Sequence, residues 1–186
     1  MILCIIYNTI YIPKKILNKI LNFIASMFLG IKFNIQWFDS KIINIKNIHF
    51  GDNFISGKGL WLEVIDPGSI IFHANVGISD YVHIASANKI EINSGVLIGS
   101  KVLITDHSHG NPIEYGKINI IPNEMPIYSP GPIIIGKNTW IGDGVIVLGG
   151  VKIGRGCIIG ANSVINRDIP DNCIASGSPV KLIQKL

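Results

Sequence analysis

IGKNTW IGDGVI VLGGVK IGRGCI IGANSV INRDI, residues 135–169, carries an aliphatic residue at every sixth position: Ile135, Ile141, Val147, Ile153, Ile159 and Ile165. Gly136, Gly142, Gly154 and Gly160 each follow one of them, and Thr139, Val145, Val151, Cys157 and Ser163 stand four positions further on. A helix repeats near 3.6 residues and a flat strand at 2, so neither accounts for this period. A chain that turns a corner after each short strand does, with one aliphatic side chain per side pointing inward. Glycine just past that side chain suits the tight backbone of a corner. Three such sides make a coil of about 18 residues, and stacked coils hydrogen-bond as a parallel β-helix.

The register extends upstream. Phe72, Ile78, Ile84 and Ile90 hold the period; two extra residues then shift it to Ile92, Ile98 and Ile104. Phe50 and Phe54 read as an earlier, degenerate turn, and Trp61 to Ile71 is irregular, which gives four to five coils. A β-sandwich does not keep a six-residue phase over so many positions.

Composition agrees with an all-β solenoid. The chain has 186 residues, of which 48% are hydrophobic and 15% charged. Stacked Ile and Val explain a mean hydropathy of +0.43 without a membrane span. Cys4, Cys157 and Cys173 are odd in number and widely spaced, so they imply no disulfide framework and fit a cytoplasmic protein. Cys157 falls on an inward position and reads as a small hydrophobe.

Charge is unevenly distributed. Residues 1–35 hold Lys14, Lys15, Lys19 and Lys32 and no acid, whereas residues 36–186 balance. No nucleic-acid partner is expected. Within the arm, Ile16, Leu17, Ile20, Leu21, Ile24 and Phe28 recur at helical spacing. Ile2 to Ile12 is too short to span a bilayer, and no basic stretch precedes it as in a signal peptide. Two readings of this helix stand side by side. It caps the open end of the solenoid, or it lies peripherally on the inner, anionic face of a membrane. One helix can do both.

The rhythm stops after Ile104 and resumes at Ile135. Between them runs a protruding loop, about residues 105–132, with Pro112, Pro122, Pro126 and Pro130. Loops of this length inside compact domains are usually functional. It opens with Asp106-His107-Ser108-His109. A histidine with a near-neutral pKa in such a loop suits general-base work.

The repeat, the loop histidine, the Trp140-Ile141-Gly142 segment and the ending RDIPDNCIASGSPVKLI together resemble the hexapeptide-repeat acyltransferases. The nearest branch in appearance is the galactoside and maltose O-acetyltransferases with their polysaccharide and O-antigen relatives. The resemblance covers about residues 72–186. It implies a left-handed β-helix, a homotrimer, acetyl-CoA as co-substrate, a sugar or glycan acceptor and no requirement for metal. Handedness rests on the resemblance alone, since the general preference for right-handed crossovers points the other way. The expected architecture is completed by the N-terminal helical arm, residues 1–35, and a short C-terminal helix closing the β-helix acyltransferase domain, residues 36–186.

Position by position, the resemblance makes His107 the catalytic base, with Asp106 and His109 as supporting residues; His109 has no firm counterpart. Trp140 matches a tryptophan that packs along the pantetheine arm. Backbone N–H groups near Asp143 and Ala161 match those that bind the thioester carbonyl and pantetheine amides. Arg167 and Lys181 match cations near the CoA phosphates. Gln184 stands where the family often has a further basic residue, which shifts that contact toward Lys185. The residue that orients His107 stays open between Asp106 and a backbone carbonyl. N-acetyl transfer to an amino sugar and a non-catalytic β-helix are the alternatives. A zinc enzyme on this fold would need a His-x4-His pair, which His73, His83, His107 and His109 do not form.

Overall fold

The computed structural model describes residues 2–111 and 121–186, leaving out the side chains of residues 2–13; Pro112 and the Cys4 thiol lie outside it. The chain is a parallel β-solenoid with three faces. The first face stacks Phe33–Asn34, Phe54–Ser56, Gly77–Ile78, Leu97–Ile98, Trp140–Ile141, Ile158–Ile159 and Cys173–Ser176. The second runs from Lys41–Ile43 through Trp61–Val64, His83–Ser86, Leu103–Thr105 and Ile146–Leu148 to Val164–Ile165, and the third from Ile48–His49 to Lys152–Ile153. This course is consistent with the left-handed sense.

Seven strands on the first face make about seven coils, more than the four to five expected. The first coils escape the six-residue pattern because their inward positions hold Phe54, Ser56, Leu60 and Leu62 rather than Ile and Val. Phe33, Phe50, Phe54 and Phe72 fill that end, with Phe33 and Phe50 edge to face at 4.8 Å between ring centres. From Val76 onward the apolar interior holds no aromatic ring, and Ile84, Ile98, Ile104, Ile135, Ile141 and Ile153 are fully buried.

The columns expose an asymmetry between corners. From the second coil on, the inward spacing from the first face to the second is six: Ser56 to Leu62, Ile78 to Ile84, Ile98 to Ile104, Ile141 to Val147, Ile159 to Ile165. In the first coil it is seven, from Ile35 to Ile42, with the turn Trp37–Asp39 between them. From the third face back to the first it is six as well, as from Phe72 to Ile78 or Ile153 to Ile159. From the second face to the third it varies: Leu62 to Phe72, Ile84 to Ile92, Ile104 to Ile135, Val147 to Ile153, Ile165 to Ile169. The long loop is the extreme case of this variable corner.

Gly136, Gly142 and Gly154 are needed for a reason other than backbone freedom. None has a positive φ; a Cβ on Gly136 would lie 2.4 Å from the Arg155 nitrogen in the next coil. The left-handed corner positions come two residues later, at Asn138, Gly144, Gly156 and Asn162. Aspartates brace the corners: the Asp80 carboxylate accepts the Lys58 N–H at 2.8 Å, Asp143 accepts Ser100 N–H at 2.6 Å, and Asp171 accepts Arg155 N–H at 3.0 Å.

No C-terminal helix forms. Lys181–Lys185 reverses direction and pairs antiparallel with Cys173–Ser176. The edge of Cys173–Ser176 offers backbone ladder partners that a helix would leave unpaired.

The N-terminal helix α1, Ile2–Leu29, does close the other end, but not with its apolar side. Asn18 and Asn22 face the first coil and are buried, whereas Ile16, Phe23 and Met27 are exposed. Asn22 Oδ1 accepts from the Ile35 N–H at 2.9 Å and from Trp37 Nε1 at 2.8 Å, and its Nδ2 donates to the Ile35 carbonyl at 3.0 Å. Asn18 donates to the same carbonyl at 2.9 Å and accepts the Trp37 N–H at 2.8 Å. These side chains serve the edge strand's backbone groups, which burial would otherwise leave unpaired. Asn22→Ala should therefore cost about 1–3 kcal/mol, the penalty for an orphaned buried donor. Ile20→Ser should stay within about 0.5 kcal/mol. Chemical denaturation of both variants checks the order; a larger loss for Ile20→Ser would mean that the helix docks by its apolar face.

Candidate active site

The variable corner of the fourth coil begins where the second-face strand Leu103–Thr105 ends. Asp106 is fully buried there. Its Oδ2 accepts from Ser86 Oγ at 2.8 Å and the Asn88 N–H at 3.0 Å, while Oδ1 accepts the Ala87 N–H at 2.7 Å. That is the bracing pattern of the other corner aspartates, with one addition: Oδ1 also lies 3.2 Å from His107 Nδ1. A carboxylate that accepts from every side requires Nδ1 to be the donor, which leaves the lone pair on Nε2. Among the described residues, Asp106 is thus the side chain in contact with His107 Nδ1.

His107 lines a cleft of about 260 Å³ with Thr105, Ser108, Pro130, Leu148 and Asn166. Gly149 completes the wall by close approach: a Cβ there would stand 2.7 Å from the Asp106 carbonyl oxygen and 2.9 Å from Pro130 Cδ. The other loop histidine is elsewhere. Ser108–His109 pairs antiparallel with Ile127–Tyr128, and His109 is exposed and outside the cleft.

The remaining predicted residues gather in other places. Trp140 projects from the first face, half exposed, in an outward column with Leu97 and Ile158. Asp143 and Ala161 occupy the next corner, stacked one coil apart, where Asn162 N–H donates to the Asp143 carbonyl at 2.8 Å. Among the described residues, the N–H groups of Asp143 and Ala161 have no backbone acceptor. Arg167 Nη2 donates to the Val180 carbonyl, which brings this cation beside exposed Lys181. Trp140, Asp143, Ala161, Arg167 and Lys181 do not line the His107 cleft of the same protomer.

His83 lies two residues out of step with the cleft on the second face, opposite Leu103. Its ring stacks on Trp61 at 4.0 Å between centres, and Lys41 Nζ sits 4.0 Å from the centre of the Trp61 ring. Burial holds its pKa below the ordinary value, against the pull of Glu63 3.8 Å away.

Ser86, Gly149 and the cleft lining were not legible as site residues. Gly149-Gly150 did carry a signal, because the other hexads have no glycine in front of the corner position.

Comparison with known proteins decides the family. Residues 132–167 match the model described as "Bacterial transferase hexapeptide (six repeats)". The chain is 43% identical over 150 residues to WbbJ of Escherichia coli (strain K12), provisionally named a lipopolysaccharide biosynthesis O-acetyl transferase, covering 80% of this chain and 76% of WbbJ. The chain belongs to the hexapeptide-repeat acetyltransferases. A provisionally named acetyltransferase of Saccharomyces cerevisiae, YJL218W, is 33% identical over 75% of this chain, which spans only 57% of that relative. The solved structure of a galactoside acetyltransferase in complex with coenzyme A is 26% identical with a TM-score of 0.50, covering 79% of this chain and 64% of its own.

Members of this family transfer an acyl group, so a thiol route deserves a test against the geometry. Cys157 and Cys173 are buried. Cys157 Sγ donates to the Pro170 carbonyl at 3.0 Å, and burial pushes its pKa up, which disfavours the thiolate. In a Cys4→Ser background, native protein at pH 8 should incorporate no iodoacetamide, and denatured protein two equivalents by mass spectrometry. Rapid native alkylation of Cys157 would reinstate a thiol nucleophile.

Proposed function

We propose that the protein is an acetyl-CoA-dependent O-acetyltransferase that acetylates a hydroxyl of a sugar or glycan, in the class of lipopolysaccharide or capsule precursors. The observation that carries this reading is the buried Asp106 carboxylate 3.2 Å from Nδ1 of His107, a residue that lines the cleft. The likeness to WbbJ supports the acceptor class. Residues 36–186 would be the catalytic solenoid and residues 1–35 an accessory arm, although Phe33 and Ile35 belong to the first coil's core.

In this reading His107 Nε2 takes the proton of the acceptor hydroxyl as its oxygen attacks the acyl carbonyl. The C–S bond then breaks, the CoA thiolate leaves and takes that proton, and the acyl group passes directly to the acceptor without an acyl-enzyme. Asp106 keeps the imidazole in the productive tautomer and stabilises its charged form. The Asp143 N–H is free to donate to the developing oxyanion. The donor would supply an electrophilic thioester and a long amphiphilic arm. Trp140 offers the arm a flat apolar face, and Arg167 and Lys181 offer cations to its phosphates. Because the His107 cleft and the Trp140–Asp143–Ala161 corner sit on different faces of one protomer, we infer that each site is completed by a neighbouring copy, as in a homotrimer. A CoA thioester as donor assigns the reaction to the cytoplasm.

His107→Ala should lower kcat by roughly 10²–10⁴, the usual contribution of a general base, with the assembly intact. His109→Ala should cost far less; the reverse order would move the base to His109. Base-labile acetyl esters should form when acetyl-CoA is incubated with a panel of sugars and lipid-linked glycans, whereas a base-stable amide on an amino sugar would overturn the O-transfer assignment.

The donor side makes a separate expectation. Trp140→Ala should raise KM for acetyl-CoA more than it lowers kcat, because it removes binding common to ground and transition states. Lys181→Ala should do the same at low salt and converge on wild type at high salt. Unchanged KM in both variants would relocate the donor groove.

A further inference from the structure

The face that α1 turns away from the solenoid is the apolar one. Phe28 is 81% exposed, Phe23 70%, Met27 64% and Ile16 55%, while Asn18 and Asn22 on the docked side are 7% and 8% exposed. At about 100° per residue, Phe23, Ile16, Met27, Ile20, Ile24 and Phe28 occupy one continuous arc of about 140°. Lys19 borders that arc on one side and Lys14 on the other, both exposed, and Lys32 follows the helix. Residues 1–35 contain no acid.

The roll of the helix is fixed. Rotating α1 to bury the arc against the first coil would break the Asn18 and Asn22 bonds to Ile35 and Trp37. It would also leave those backbone groups unpaired. The arc therefore stays turned outward, with Met27, Ile20 and Ile24 at its centre, Phe23 and Phe28 at its two sides, and lysines beyond both.

We propose that this arc lies in the headgroup region of an anionic lipid bilayer and holds the protein there as a peripheral attachment. The apolar centre would bury itself at the acyl boundary, while the lysine stems lie along the apolar surface and their ammonium groups reach anionic headgroups. A second copy of the chain is a poorer occupant, because pairing two such arcs brings lysine edges of like charge together. Among the described residues no helix is long and apolar enough to cross a membrane, so the contact is interfacial. The proposal rests on α1 and not on the chemistry assigned to His107.

Sedimentation of the full chain with vesicles tests it. Wild type should bind phosphatidylglycerol–phosphatidylcholine vesicles at low salt and bind pure phosphatidylcholine much less. Phe23→Ser/Phe28→Ser should weaken binding at least about tenfold, on the area these side chains would bury. Its thermal midpoint should not change, because both residues are exposed. Lys14→Gln and Lys19→Gln should each weaken binding about fivefold, an effect that vanishes at high salt. Failure of the wild type to bind phosphatidylglycerol vesicles would overturn the proposal. So would undiminished binding by the double phenylalanine variant, or a change in its oligomeric state by ultracentrifugation, which would give the arc to a second copy.

Discussion

Successive coils hydrogen-bond along parallel ladders, a spacing of roughly 4.8 Å that no side chain can relax. Almost every local rule in this chain follows from that closeness. Ile98 must stand between Ile78 and Ile141, so the interior becomes columns of like residues. Gly142 must lack a side chain because the Ile159 carbonyl of the next coil would be 2.7 Å from its Cβ. Amides at the corners cannot all reach a carbonyl, and Asp52, Asp80, Asp143, Asp168 and Asp171 supply a carboxylate oxygen instead. The fold is a single distance constraint satisfied over and over.

The site borrows one of these devices. Asp106 accepts the Ala87 N–H as Asp80 accepts that of Lys58, and would be a structural residue if His107 did not follow it. Its burial and its bonds to Ser86 and Asn88 are what make it a rigid support for an imidazole. The location is equally conditioned. From the second coil on, two corners keep a fixed length, and the inserted loop sits where the second face meets the third, the corner whose length varies from coil to coil. Ile104 and Ile133 still belong to one coil across that insertion.

What could be read from the sequence, and what could not, divides along the same line. The hexads after Ile135 announce their register because Ile and Val recur at fixed spacing. The coils before Phe72 obey the same geometry, yet hide it, since Phe54, Leu60 and Ser56 fill equivalent positions with other shapes. His107 stood out as the first polar cluster after the rhythm failed. Asp106 as its partner did not, because adjacent side chains usually diverge and only the corner geometry turns these two together. Helical spacing in α1 was legible as well, but spacing cannot say which face docks. The choice fell to Asn18 and Asn22, whose amides match both the donor and the acceptor of Ile35. At the far end, the Lys181–Lys185 segment took the strand option that a free edge offers.

A pile of identical parallel coils contains no instruction to stop, and its last ladder is a template for another molecule. The first face deals with this differently at its two ends. At one, asparagine amides occupy the backbone groups of Ile35 that an incoming strand would use. At the other, the chain lays down Lys181–Lys185 running backwards, with lysines at both tips. A strand of the wrong polarity cannot seed a further parallel coil. On this face neither end presents the parallel template that end-to-end growth would need, and at one of them the obstacle is a change of direction rather than bulk.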